Sequence, residues 1–212
     1  MYNIYIMKIY ILRHEERPSD CSFFTPLSFN GLSNARKLAT LMNNKNIKID
    51  KILCSPFIRT LQTIYPYAIK NKLLINLEYG LSEIHIPECI TLRAVGMELP
   101  EYIAKSFNYD KSYNSIIKYN DIIYPENINN VNSRINKILK YLLNTYIDQN
   151  INILIVTHQS LCACALTNIV KSSHVKCDMK KKIENSNLIN NYGTGKLCLI
   201  FDNNQWEFKE IN

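Results

Sequence analysis

Residues 9–17 have the sequence IYILRHEER, an apolar run that ends abruptly in charged residues. An unbroken run rich in β-branched and aromatic residues is typical of a strand buried on both faces, as in a parallel sheet. In open α/β sheets, ligands bind in the crevice beyond the carboxyl ends of the strands. We therefore expect Arg13 and His14, which end this run, to lie in a functional site.

The rest of the chain alternates predicted strands with predicted helices. The strands are short apolar runs at residues 51–54, 73–75, 151–157, 196–201 and 205–208. The helices have apolar residues at steps of three and four, and they are expected at residues 27–42, from 55 through 63, and at 131–146 and 160–170. In the second helix Pro66 should cause a kink or a split, and Arg134 should lie on the outer face of the third.

This alternation predicts a single α/β domain over residues 1–212, a three-layer sandwich with a mostly parallel central sheet and helices on both faces. Within it, residues 84–130 keep no helical or strand period, and Pro87, Pro100 and Pro125 interrupt them. A long irregular segment in a compact domain is usually a lid or a binding loop. We expect residues 84–130 to form a lid or insertion.

Charge and terminal composition restrict the partners. The net charge of +7 suits anionic partners, but the one basic cluster, Lys180–Lys182, is too short for a nucleic-acid stripe, so no nucleic-acid partner is expected. The first dozen residues are too few for a membrane span and lack the features of a secretory signal. These observations predict a cytoplasmic protein that does not bind membranes.

The seven cysteines are odd in number and irregularly spaced, and several lie in apolar runs, which predicts buried, reduced thiols without disulfides. Cys54 before Arg59 resembles the nucleophile of a cysteine phosphatase. That hypothesis fails because four residues intervene instead of five and no glycine-rich cradle is present. Cys162 and Cys164 after His158 do not have the spacing of a structural zinc site, so no metal is expected.

Three strand ends bring together groups suited to phosphate chemistry. They carry Arg13-His14, residues 55–59 with Arg59, and His158. Guanidinium groups bind phosphate oxygens in pairs, and an imidazole can attack phosphorus. Glu83, just after the third predicted strand, is the best-placed general acid, provided that burial or a negative neighbour favours its protonated form. The neighbouring carboxylates Glu78 and Glu88 remain alternatives.

Five segments in order resemble the motifs of the histidine phosphatase superfamily, also called phosphoglycerate mutase-like. They are Arg13-His14, residues 27–35 (LSFNGLSNA), residues 54–63 (CSPFIRTLQT), Leu81-Ser82-Glu83 and residues 156–159 (VTHQ). Together they cover most of the chain. The resemblance implies the phosphoglycerate mutase-like version of the predicted α/β fold.

The resemblance also implies residue roles. His14 would become a phosphohistidine, and Arg13, Arg59 and His158 would hold the phosphoryl group. Glu83 would protonate the leaving group and then activate water. No metal and no cofactor take part in that scheme.

Arg17, Glu15 and Gln159 lie in or beside the first and last of these motifs. Residues 13–17 (RHEER) are similar to the Arg-His-Gly-Glu-Arg form of a branch that includes the Sts-type protein tyrosine phosphatases, which adds Arg17 to the phosphate pocket. Glu15 and Gln159 replace glycines of the family pattern. A carboxylate at position 15 could repel an anionic substrate or disturb the loop that carries the nucleophile.

The resulting hypothesis is a metal-independent phosphohydrolase that acts through a phosphohistidine on a small phosphorylated substrate or a phosphotyrosine-type phosphomonoester. A phosphoglycerate mutase is the alternative within the family, but the chain lacks the glycine-rich continuation after the acidic residue and the Ser-x-x-Asn after the first motif. A catalytically weak phospho-ligand or protein-binding module is the alternative from another class. The oligomeric state is left open.

Overall fold

The computed structural model describes residues 6–90, 98–172, 177–185 and 187–211. The strands are β1 (Lys8–Arg13), β2 (Lys51–Cys54), β3 (Ile75–Leu77), β4 (Asn152–Thr157), β5 (Leu197–Asp202) and β6 (Gln205–Ile211). The helices are α1 (Phe29–Asn44), α2 (Ile58–Lys70), α3 (Glu101–Ala104), α4 (Ile128–Tyr146), α5 (Gln159–Lys171) and α6 (Cys177–Asn185). None of the helices in these ranges is both long and apolar enough to cross a membrane.

The strands form one six-stranded sheet in the order β3-β2-β4-β1-β5-β6. The first four of these strands are mutually parallel, whereas β5 pairs antiparallel with β1 on one side and with the edge strand β6 on the other. Because β2, β4 and β1 are neighbours, their carboxyl ends lie side by side, with Arg13 opposite Thr157 and Cys54 opposite Val156. The predicted mostly parallel sheet is confirmed.

Two hydrophobic clusters cover the two faces of the sheet. In β1, Ile9 and Ile11 belong to the cluster that contains α4 and α5 side chains. Tyr10 and Leu12 belong to the other cluster, with α1 and α2. This alternation follows from the period of two in a strand, and it produces the predicted three layers.

The third strand begins two residues later than predicted, at Ile75 instead of residue 73. Leu74 is half exposed, whereas the polar Asn76 is buried because its side-chain amide donates to the Ile52 carbonyl at 2.9 Å. A hydrogen bond to the neighbouring strand thus allows a buried polar residue in β3, which hydrophobicity alone does not predict.

The predicted split of the second helix at Pro66 is wrong, since α2 runs without interruption from Ile58 to Lys70, whereas a kink there remains a prediction. A proline inside a helix removes one backbone hydrogen bond. On either side of it, Ile64 and Tyr67 are buried in the core. The packing of these two side chains outweighs the lost hydrogen bond.

The prediction that Arg134 lies on the outer face of α4 is also wrong. Only 6% of its surface is exposed. The guanidinium group is paired with the carboxylate of Glu126 at 2.7 Å, which allows a charged side chain on the buried face. The periodicity of α4 cannot reveal this partner, since Glu126 precedes the helix.

The cysteine prediction is partly wrong. Cys54, Cys162, Cys164 and Cys198 are free and buried, as expected, and the side chain of Cys177 lies outside the described part. Cys21 and Cys89, however, form a disulfide across a sequence separation of 68, with their Cα atoms 4.9 Å apart. The fold brings the loop after β1 against the segment after Glu83, which spacing in the sequence does not show.

Between β3 and α4 the chain is mostly irregular. Besides the four-residue α3, its described regular elements after residue 97 are the short 3₁₀ turns Lys105–Phe107 and Tyr119–Asp121. Leu99 and Ile117 nevertheless reach the hydrophobic clusters. Residues 91–97 of the expected lid lie outside the described residues.

Candidate active site

The predicted site residues follow three adjacent strand ends. Backbone hydrogen bonds continue beyond the strands: His14 N–H donates to the Thr157 carbonyl and Ser55 N–H to the Val156 carbonyl, each at 3.0 Å. His158 directly follows β4. These bonds hold the segments after β1, β2 and β4 together at one edge of the sheet, as the strand-end rule predicts.

His14 is held in one neutral form. Its Nδ1 lies 2.7 Å from the carbonyl oxygen of Glu15. Because a carbonyl can only accept, Nδ1 carries the proton, which leaves the lone pair on Nε2. Burial, and then the charge of Arg59, lower the pKa of His14 to about 3, so the ring is neutral at pH 7. A neutral imidazole with a free Nε2 is the form required of a nucleophile.

His158 is completely buried and lies close to His14. Their ring centroids are 5.2 Å apart, and Nε2 of His158 is 2.8 Å from the hydroxyl of Ser55. Burial, followed by the charge of Arg59, holds the pKa of His158 well below its usual value. The site therefore has neutral imidazoles beside a guanidinium group, an arrangement that favours an incoming anion.

Glu83 is the carboxylate that meets these histidines. Its Oε2 is 3.6 Å from His158 Nδ1, and its Oε1 accepts from the Ser160 hydroxyl at 2.5 Å. Ligand-type atoms of His14, Glu83 and His158 all lie within 4.8 Å of one another. A proton on Glu83 is therefore close to any group bonded to the ring of His14.

The two alternative carboxylates occupy other environments. Glu78 is fully buried, and its side chain accepts five hydrogen bonds from residues 80 and 113–117, which makes it a structural anchor. Glu88 is exposed. The geometry thus favours Glu83 as the general acid over both neighbours.

The arginines differ in how they are held. Arg59 is buried, donates to the carbonyls of Ser22 at 2.7 Å and Cys21 at 3.4 Å, and lies 4.5 Å from the Phe57 ring centroid. Burial lowers the pKa of Arg59 to about 10, so it remains charged at pH 7. Arg13 donates to the Tyr192 carbonyl. Among the described residues, the buried Nε atoms of both arginines have no hydrogen-bond partner.

The guanidinium group of Arg17 is bound to its own loop. Arg17 is partly exposed, and its guanidinium group donates to three carbonyls of its own loop, those of residues 18, 19 and 20, at 2.7, 2.9 and 2.7 Å. Its charge nevertheless contributes to lowering the pKa of both His14 and Arg59, which places it at the rim.

His14, Glu83 and His158 have side chains of the kinds that bind metal ions. The electrostatic surroundings oppose a metal ion. The positive charges of Arg59 and Arg13 both contribute to lowering the pKa of His14, so both act on its ring. A divalent cation would add charge to this cluster, whereas a phosphate would neutralise it.

The two departures from the family pattern both contact one turn near residues 190–195. Glu15 is buried, with its carboxylate against Gly195, and Gly195 N–H donates to the His14 carbonyl at 3.1 Å. Burial raises the pKa of Glu15. The side-chain amide of Gln159 donates to the Asn190 carbonyl at 3.2 Å. The Glu15 carboxylate therefore packs against residues 190–195, and Gln159 ties the start of α5 to the same segment by a hydrogen bond.

Ser55 was expected at the strand ends without a role of its own, whereas Ser160 and Tyr192 were missed from the sequence. Ser160 lies shortly after the end of β4, so the strand-end rule could have included it. Tyr192 has no comparable signal, because its carbonyl meets Arg13 across 179 positions. The buried Cys54 has a raised pKa, which disfavours the thiolate that a cysteine phosphatase needs.

Comparison with protein families matches residues 10–190 to the histidine phosphatase superfamily (branch 1). Among curated proteins, the human ubiquitin-associated and SH3 domain-containing protein B is 27% identical over 157 residues, which are 68% of this chain and 23% of that protein. The phosphohistidine phosphatase SixA of Escherichia coli is 32% identical over 60 residues, 27% of this chain and 37% of SixA. The matches thus span well under half of either relative.

Solved structures agree on the fold. The ecdysone phosphate phosphatase EPPase of Bombix mori superposes with a TM-score of 0.69 at 14% identity, covering 96% of this chain and 92% of that one. The alpha-ribazole phosphatase of Shigella flexneri gives a TM-score of 0.63 at 17% identity, with 97% and 96% covered. At these identities the likeness shows a shared fold alone.

Proposed function

Because the chain belongs to the histidine phosphatase superfamily (branch 1), we propose that it is a phosphohydrolase that removes the phosphoryl group from phosphomonoesters. One observation carries the proposal. The ring of His14 is neutral, with its proton fixed on Nδ1, and it lies beside a carboxylate, a second histidine and Arg59.

In the first step, Nε2 of His14 attacks phosphorus and the bond to the ester oxygen breaks. Glu83 donates its proton to that oxygen, so the alcohol leaves uncharged. The product is a phosphohistidine whose positive ring is stabilised by the hydrogen bond from Nδ1 to the Glu15 carbonyl. Arg13, Arg59 and His158 bind the phosphoryl oxygens as charge develops.

In the second step, the carboxylate of Glu83 takes a proton from water, and the water oxygen attacks phosphorus. The bond between phosphorus and Nε2 breaks and releases inorganic phosphate. Both reactants are then restored: His14 is neutral again, and Glu83 carries the proton for the next cycle. The charge of Arg13 and Arg59 serves where other phosphatases use metal ions, so we propose that no metal is required.

Arg17 and residues 84–130 are assigned to substrate capture. Arg17 at the rim attracts the phosphate before it reaches Arg13 and Arg59. The segment 84–130 follows Glu83 directly, and its Cys89 is bonded to Cys21, whose carbonyl accepts from Arg59. These contacts support a role of this segment as the lid that selects the phosphorylated substrate.

The substrate class follows from the site and from the names of similar proteins. SixA is named for phosphohistidine and EPPase for ecdysone phosphate, so proteins of this kind act on different phosphorylated groups. The site is assigned one phosphoryl group at a time, since His14 is its proposed nucleophile and Glu83 its proposed general acid. We assign to it small phosphomonoesters, aryl or alkyl, with phosphotyrosine-type groups included.

The test is phosphate release from p-nitrophenyl phosphate over roughly pH 4 to 8 with EDTA present, for the parent protein and for His14→Ala. Turnover that survives EDTA and is lost in the variant, with a phosphohistidine trapped by alkaline quenching of the parent, supports the proposal. Loss of turnover on chelation contradicts metal independence. Faster interconversion of 3- and 2-phosphoglycerate than phosphate release identifies a mutase, and phosphate binding without turnover identifies a binding module.

A further inference from the structure

The turn that carries Glu83 is held by a buried ion pair from elsewhere in the chain. Arg134 of α4 and Glu126 form a two-point pair, with Nε and Nη2 donating to the two carboxylate oxygens at 2.7 Å each. Their side chains are 7% and 1% exposed. Neither residue belongs to the group that surrounds His14.

The same two side chains also bind the backbone on both sides of Glu83. Nη1 of Arg134 donates to the carbonyls of Gly80 at 2.6 Å and Ser82 at 3.1 Å. A carboxylate oxygen of Glu126 accepts from His85 N–H at 2.9 Å. The backbone N–H of Glu126 donates to the His85 carbonyl at 2.8 Å.

We propose that the Arg134–Glu126 pair is a positioning device that fixes the carboxylate of Glu83 for proton transfer to the leaving group. This inference rests on the proposed function, since it assigns the pair a role through the general acid. The pair binds residue 82 before Glu83 and residue 85 after it, so the backbone of Glu83 cannot rotate or shift independently of α4.

A buried ion pair is a poor source of stability, because desolvation offsets most of its attraction. The contribution of the Arg134–Glu126 pair is instead to fix the positions of the backbone groups that it binds. Arg134 uses four N–H contacts in a fixed plane, and lysine, with one ammonium centre, cannot reproduce them. A displacement of about 1 Å of a catalytic group can cost about 100-fold in rate.

The contacts of Glu83 show why its placement is sensitive. Its Oε1 accepts from the Ser160 hydroxyl and from the Ile84 N–H at 3.1 Å, and its Oε2 lies beside His158. The bond to Ile84 lies within the turn itself, so none of these contacts fixes the backbone of residues 80–85 to α4. Without Arg134, Thr157 would still anchor this turn through its hydrogen bond to the Leu81 carbonyl at 2.7 Å, so the turn would loosen around Glu83 rather than unfold.

The test separates proton donation from the rest of catalysis by changing the leaving group. Protonation matters little for p-nitrophenyl phosphate, whose leaving group is stable as an anion, and greatly for β-glycerophosphate, whose alkoxide is not. The quantity compared is kcat/KM, which reports steps up to departure of the leaving group. Arg134→Lys and Glu126→Gln are compared with Glu83→Gln and with Lys140→Met, an exposed control on the same helix.

We expect Arg134→Lys to lower kcat/KM for β-glycerophosphate by about 10- to 100-fold and for p-nitrophenyl phosphate by less than about threefold, with the control unchanged. In a Glu83→Gln background, Arg134→Lys should add no further selective loss, because the group through which it acts is gone. Both results together support the positioning role.

Equal losses on the two substrates, or a selective loss that persists in the Glu83→Gln background, overturn the inference while leaving the proposed function intact. If Glu83→Gln itself loses no more activity on β-glycerophosphate than on p-nitrophenyl phosphate, the assignment of the general acid fails and this inference fails with it. If Arg134→Lys does not fold, Glu126→Gln, which keeps the size of the side chain, decides by the same two-substrate criterion.

Discussion

Replacing Gly31 by alanine should damage both the stability of the protein and the loop that carries the nucleophile. Gly31 lies in the first turn of α1, where a Cβ atom would come 2.1 Å from the carbonyl oxygen of Glu16. Carbon and oxygen atoms in ordinary contact are at least about 3.3 Å apart. The helix and the loop must therefore separate by about 1 Å.

Neither the start of α1 nor the loop of Glu16 can move without breaking hydrogen bonds. The clashing Glu16 carbonyl accepts from Ser28 N–H at 3.0 Å, and the Glu16 carboxylate accepts from the Ser28 hydroxyl at 2.6 Å. Ser28 also caps α1 by accepting from Gly31 N–H. Overpacking of this kind costs about 1–3 kcal/mol, and the better helix propensity of alanine returns at most about 1 kcal/mol. We expect a net loss of about 1–2 kcal/mol in the free energy of unfolding.

Activity should fall further than stability suggests, because Glu16 lies two residues from His14. A shift of about 1 Å in a loop that positions a nucleophile can cost about 100-fold in kcat/KM. The matched control is Gly193→Ala, where the nearest atom to a new Cβ would be Lys196 Cε at 3.8 Å. Urea unfolding and p-nitrophenyl phosphate hydrolysis measure the two effects. The reasoning is refuted if Gly31→Ala is as stable and as active as Gly193→Ala.

Two further predictions concern pH and redox state. His14, His85 and His158 are buried with lowered pKa values, about 3 for His14 and about 4 for His85, so below pH 6.5 the unfolded chain binds protons that the folded chain does not. The free energy of unfolding should thus fall between pH 7 and pH 5, by about 2 kcal/mol for His14 and about 2 kcal/mol for His85, with His158 acting in the same direction. In urea titrations at the two pH values, His85→Leu should remove the part of this fall that comes from His85. Reduction of the Cys21–Cys89 disulfide should lower the free energy of unfolding by about 2–4 kcal/mol and raise KM for p-nitrophenyl phosphate. Cys89→Ser should show the same changes and should not respond to dithiothreitol. An unchanged KM after reduction would show that the disulfide does not support the phosphate pocket.

Much of the architecture was predictable because local periodicity reports burial. The strand at residues 51–54 was located to the residue, and the helix at 131–146 was found three residues short of its true start. The exceptions had polar or unusual residues in buried places. Asn76 concealed the continuation of β3 to Leu77 and Arg134 was assigned to the wrong face, since each is buried only because a distant partner satisfies its hydrogen bonds.

For the site, the residue types and the strand ends selected Arg13, His14, Arg59 and His158 and favoured Glu83. The structure brings His14, Glu83 and His158 together, and the roles of all five residues remain predictions. The strand-end rule works because parallel strands place their carboxyl ends at one edge whatever the intervening chain does. Arg17 remains a prediction for the phosphate pocket, since its guanidinium group is bound to its own loop in the structure.

The amino-acid sequence by itself determined the order of strands and helices and the chemical groups at the strand ends, because side chains two to four positions apart create the pattern that a sheet or a helix buries. Tertiary structure alone decided the protonation of His14, the disulfide of Cys21 with Cys89, and the pairing of Arg134 with Glu126 around Glu83. These features depend on how deeply a group is buried and on which segment of the folded chain reaches it, and neither is contained in the spacing of neighbouring residues.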